Sequence, residues 1–128
     1  MMWKRYIVEL GWGADLHGQD VTKAAERAVK DAISKSCLCG LKEILEVADL
    51  NEVGVHVTIA APYPEKVEAE KVIKVLPIGK KSIEIVKGGM EVPGLCVEEF
   101  GDLKDSIVIA NACVEVKVSC ENSIPAKK

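Results

Sequence analysis

Asp15 and His17 stand two residues apart in GWGADLHGQD, residues 11–20. On extended backbone, side chains two apart point the same way, so a carboxylate and an imidazole placed like this can share one task. Three tasks fit. The pair could ligate one divalent metal. Asp15 could orient and polarise His17 as a general base or ligand contact, which makes these the candidate catalytic residues. Or Asp15 could cap a turn while His17 bonds backbone, the two only fixing a corner. Gly11, Gly13 and Gly18 surround the pair; they lack Cβ bulk and tolerate positive φ, which lets backbone approach a ligand.

Asp20 and Thr22 follow as capping residues of the next helix or as further contacts of a pocket beside His17. Free amides and the dipole at that helix start favour an anion. Asn111, polar in an otherwise apolar stretch, needs partners if buried and could otherwise read a ligand from a sheet. A lone G-x-G is not the dinucleotide fingerprint G-x-G-x-x-G, so nucleotide binding is not expected.

The elements that must position these groups follow from periodicity. Residues 4–11, KRYIVELG, suit a strand that the glycines end. After Asp20 as N-cap, Val21, Ala24, Ala25, Ala28, Val29, Ala32 and Ile33 recur with helical spacing and form one apolar stripe, narrow enough to lie close on a sheet. Lys23, Glu26, Arg27, Lys30 and Asp31 cover the opposite face, and Gly40 is the candidate C-cap. Residues 41–52 fit a short helix or a loop equally well. Strands are predicted over 53–62, 81–89 and 106–118, a second helix over 65–75, and a loop over 89–105. In the last strand Val108, Ala110, Ala112, Val114 and Val116 share one face, and Ile109, Asn111, Cys113, Glu115 and Lys117 the other. Gly88-Gly89 reads as a bulge or turn, and residues 119–128 as a frayed tail.

The expected fold is therefore α+β: a two-layer β-α-β-α-β-β domain over residues 1–128, a mixed sheet with helices on one face. Its other face is bare and partly apolar, which predicts a homo-oligomer, a trimer or a multiple of one. With 48% hydrophobic and 29% charged residues and a net charge of −3, the chain suits one globular domain and not a nucleic-acid surface. No apolar run reaches the length of a membrane span. No export signal is visible, so the expected compartment is the cytoplasm. The odd number of cysteines (Cys37, Cys39, Cys96, Cys113 and Cys120) then favours free thiols over a disulfide framework.

Three resemblances add to this reading. The element order resembles the small trimeric fold of the Bacillus-type chorismate mutases, which implies ligand clefts between subunits. GWGADLHG followed by QDVTKAAERAVKDAI resembles a family of conserved proteins of unknown function marked by G-x-G-x-D-x-H-G, matched by Gly11, Gly13, Asp15, His17 and Gly18. LPIGKKSIEIVKGGMEV and IVIANACVEV resemble that family's later pattern. The segment is also similar to the cyclodiphosphate synthase of isoprenoid synthesis, whose G-x-D-x-H implies a divalent metal held by the Asp, the His and a second histidine. Here the other histidine is His56, on a different strand, so a third ligand would have to be His56, Asp20, a cysteine or a neighbouring subunit.

Together these features predict a small metabolic enzyme that binds a small anionic molecule in a cleft onto which Asp15 and His17 open. The alternative is a non-catalytic oligomer that binds a small molecule or a divalent metal.

Overall fold

The computed structural model of the chain describes residues 2–96, 99 and 106–120. In chain order the described elements are β1 (Met2–Asp15), α1 (Val21–Ile33), α2 (Gly40–Glu43), β2 (Gly54–Ala61), α3 (Ala69–Ile73), β3 (Lys80–Lys87), β4 (Met90–Pro93) and β5 (Ser106–Cys120), with 3-10 turns at Leu50–Glu52 and Pro64–Lys66. The fold is α+β around a mixed sheet in the order β1-β5-β2-β3. β5 is antiparallel to both β1 and β2, and β2 is parallel to β3. β4 also pairs with β5, taking up residues 106–109 where β2 leaves off.

The alternation expected of β5 is present. Val108, Ala110, Ala112, Val114 and Val116 are buried under the helices, with Val55, Val57, Ile59 and Ala61 of β2 beside them. Against this face lies the alanine stripe of α1, in which Ala24, Ala25, Ala28 and Ala32 are fully enclosed. α1 begins at Val21 because the Asp20 carboxylate accepts the backbone N–H groups of Thr22 (2.9 Å) and Lys23 (3.1 Å).

Five expectations change. β1 does not stop at the glycines but runs through Gly11 and Gly13 to Asp15. A Cβ on Gly11 would come within 2.4 Å of Ala32 N, and one on Gly13 within 2.4 Å of Ala28 N. These two glycines therefore let α1 rest directly on the strand. Ser34, not Gly40, ends α1; Gly40 opens α2 under the Tyr6 hydroxyl, which a Cβ there would displace. The helix predicted over 65–75 is a 3-10 turn followed by the short α3. The loop over 89–105 contains β4, which the chain enters through Gly89 (φ 66°); a Cβ there would strike the Ile109 carbonyl. Ser119 and Cys120 of the expected tail pair with Trp3 and Met2, while residues 121–128 lie outside the described residues.

One irregularity sets the faces of β1. The pairing with β5 slips between Arg5 and Ile7, inserting Tyr6 as a bulge. Beyond it Glu9, Gly11, Gly13 and Asp15 face the helices. Val8, Leu10 and Trp12 face outward, and Trp3 and Arg5 before the bulge share that outer side.

Candidate functional site

The corner after β1 is wired from within. Asp15 is the last strand residue and is 7% exposed. Its Oδ2 accepts the backbone N–H of Asp20 at 2.8 Å, and its Oδ1 meets the Arg27 guanidinium at 3.2 Å. Arg27 also donates to the Ala14 carbonyl at 2.7 Å. A Cβ on Gly18 would sit 3.0 Å from Asp15 Oδ2, so that glycine makes room for the carboxylate. The left-handed residue of the corner is Gln19 (φ 52°), whose amide donates to the Ser106 carbonyl at 2.8 Å.

This geometry corrects the premise that Asp15 and His17 alternate on one extended segment and open together onto a cleft. The strand ends at Asp15, and His17 lies half-buried in the bend beyond it, with an interaction of its own. Two of the helix amides that an anion would use, those of Thr22 and Lys23, are already taken by Asp20. Thr22 is buried and joins α1 to the next turn, donating to Lys66 O at 3.3 Å and accepting from Glu68 N at 3.0 Å. Asn111 does not join the corner: it lies on the outer sheet face in register with Trp12 and Ala60. His56 is on that face too, bonded through Nδ1 to Ser82 Oγ at 2.7 Å, with Nε2 3.6 Å from Glu84. Among the described residues no three His, Cys, Asp or Glu side chains come together as a metal-binding group. Each oxygen of Asp15 already accepts one protein donor, the Asp20 N–H and the Arg27 guanidinium.

A different site lies at the other end of α1. A cavity of about 200 Å³ opens between the C-terminal end of α1, the inner sheet face and the segment after α3. Its walls include Ile33, Leu38, Val55, Leu76, Ile78 and Val114. One acid enters it: Glu9, inward-facing on β1 and 7% exposed. Ser36, exposed at the mouth, donates to Glu9 Oε2 at 2.6 Å. Among the described residues that is the only hydrogen bond of the Glu9 side chain, and no lysine, arginine or histidine lines the cavity. Strand parity was the available signal, since Glu9 shares its face with Gly11 and Gly13; the slip at Tyr6 and the approach of residues 76–78 had none. A shallower groove between α1 and α3 carries Lys30, Lys71 and Lys74 beside Glu26. Lys71 there is held by Glu68 at 3.1 Å, which raises its pKa.

The outer face of the sheet is covered by no described element. Its upper rows are apolar except for Asn111: Leu10 is 64% and Trp12 60% exposed, and Val86 and Met90 are exposed beside them. Cys113 is half-buried there, and burial pushes its thiol pKa up. The lower rows mix signs, with Arg5 bonded to Glu115 at 3.2 Å and His56 beside Glu84.

A mixed sheet with helices on one face and a bare back defines the class, a small α+β protein. Within that class the chain belongs to the Lin0512 family, described as conserved hypothetical protein, whose match covers residues 5–116. It is similar to the crystal structure of an FtsZ-like protein of unknown function from Nostoc punctiforme, with 42% identity and a TM-score of 0.86 over 94% of this chain and 99% of that one. No protein among the curated ones matches.

Proposed function

We propose that the chain is the protomer of a homo-oligomer that binds a small molecule in the Glu9 cavity. The observation that carries the binding reading is the cavity itself: apolar walls, one inward carboxylate and one hydroxyl at the mouth, the composition typical of a ligand pocket. Its volume of about 200 Å³ exceeds that of the ~150 Å³ engineered cavity that takes up benzene. The oligomer reading is supported by the outer face, where an apolar half and a half of mixed charge are self-complementary against a second copy. Packing of that face into a trimeric barrel of the chorismate mutase kind, with clefts between subunits, belongs to the same proposal.

A second reading places a ligand or a catalytic step at the corner, with His17 in contact and Asp15 positioning. Gln19 favours it, because a non-glycine residue in the left-handed region is a strain that tends to gather at functional corners. One experiment separates the two. Backbone and methyl NMR shifts are followed while a library of molecules of about ten heavy atoms or fewer is titrated, a size set by the cavity volume. Shifts at Val55, Leu76 and Val114 that vanish when Ser36→Trp blocks the mouth support the cavity. Shifts at His17 and Gln19 move the site to the corner, and their absence at both places overturns both readings.

A further inference from the structure

We infer that the ligand of the Glu9 cavity is a small primary amine with an apolar body about the size of a benzene ring; this rests on the cavity being a small-molecule site. Glu9 is enclosed, yet its counterpart among the described residues is a single serine hydroxyl on Oε2. Oε1 has no hydrogen-bond donor among the described residues and keeps some contact with solvent, and apart from Ser36 the residues that line the cavity with Glu9 are apolar. A carboxylate withdrawn from water without a counter-charge is costly, and an ammonium group placed against it removes that cost. The same wall includes Ile33 and Ser36, at and just beyond the C-terminus of the thirteen-residue α1, where the helix dipole is negative. Carboxylate and dipole thus favour a cation and oppose an anion. The apolar walls require the rest of the molecule to be hydrocarbon. The three N–H donors of an ammonium suit the geometry: one for Oε1, with the others free to reach Ser36 Oγ and the solvent at the mouth.

Benzylamine, benzyl alcohol and benzoate serve as probes of one shape and three charges, titrated into the full-length protein by calorimetry and NMR. Benzylamine should bind at least about tenfold more tightly than benzyl alcohol, and benzoate should show no binding, the difference being one of charge at constant apolar area. Glu9→Gln keeps the shape and the serine bond and should bring amine and alcohol to within about twofold of each other. If alcohol and amine bind wild type equally at the cavity residues, or if Glu9→Gln leaves the amine preference intact, the amine inference is overturned while the cavity reading stands. If none of the three shifts a cavity residue, the cavity reading falls with it. The wild-type comparison needs no variant, so the inference is decided even if Glu9→Gln fails to fold.

Discussion

Asp15 is the residue whose role the structure changes most. Two residues from a histidine it suggests catalysis; in the fold it closes the turn between β1 and α1 by accepting Asp20 N–H and holding Arg27. A buried acceptor of this kind has a graded signature on removal. Asp15→Ala leaves the Asp20 amide without its partner and should cost about 1–3 kcal/mol in urea melts. Asp15→Asn keeps an acceptor for the Asp20 N–H and loses the charge and the acceptor that meet Arg27; that guanidinium is half-exposed and can turn to water, so the cost should be the smaller. No loss from either would show that the carboxylate does not hold the corner, and equal losses would place its contribution in the contact with Arg27. His17→Gln with unchanged stability and lost ligand-induced shifts would instead favour the corner as a site.

The free edge of β1 shows how one element can protect another. Among the described residues no strand neighbours its outer backbone groups, yet Ala14 O takes Arg27 at 2.7 Å, Trp12 N–H is accepted by Asp31 at 2.9 Å, and Leu10 O takes Lys35 Nζ at 3.2 Å. Four residues of helix rise about 6.0 Å and two of strand about 6.7 Å, so one stripe of α1 keeps step with alternate residues of β1. The drift is taken up by long side chains at the ends and a short one in the middle. Such an edge resists strand addition. The Trp12 amide, and after it Lys35 at 3.1 Å, hold the Asp31 carboxyl below its ordinary pKa. A lowered pKa means that the stabilisation is complete above the unfolded-state value of about 3.9 and is lost as pH falls through the folded-state value. Wild type should therefore melt above Asp31→Asn at pH 6, with the gap closing as the pH falls below about 4. A gap that does not depend on pH would remove the charge from the account.

This stripe also marks the limit of what sequence can say. The alanine face, the Asp20 cap and the two faces of β5 follow from local periodicity and were legible. That Arg27, Asp31 and Lys35 serve a strand edge was not, because nothing local distinguishes a solvated charge from one reaching a strand far away in sequence. The Glu9 cavity was hidden for the same reason, its lining coming from five separate parts of the chain.

At the scale of the whole molecule the outer face decides behaviour in solution. Both tryptophans, Trp3 and Trp12, lie on it. Light scattering at micromolar concentration should give a multiple of 13.8 kDa with blue-shifted tryptophan emission. Trp12→Asp should give a folded monomer with red-shifted emission from Trp3. A wild-type monomer would end the oligomer proposal.

The sheet also imposes an order in time. β5, late in the chain, pairs with β1, β2 and β4, and among the described residues it is the only strand partner of β1 and of β4. During synthesis the first strand must therefore wait, unpaired, until nearly the whole polypeptide has emerged, with Trp12 and Leu10 in reach of any passing apolar surface. Closing so distant a pair is slow for entropic reasons. A chain stopped at residue 105 should show no cooperative unfolding by circular dichroism, and adding a peptide of residues 106–120 should restore it. The last fifteen described residues would then work as the clasp that turns a waiting chain into a folded one.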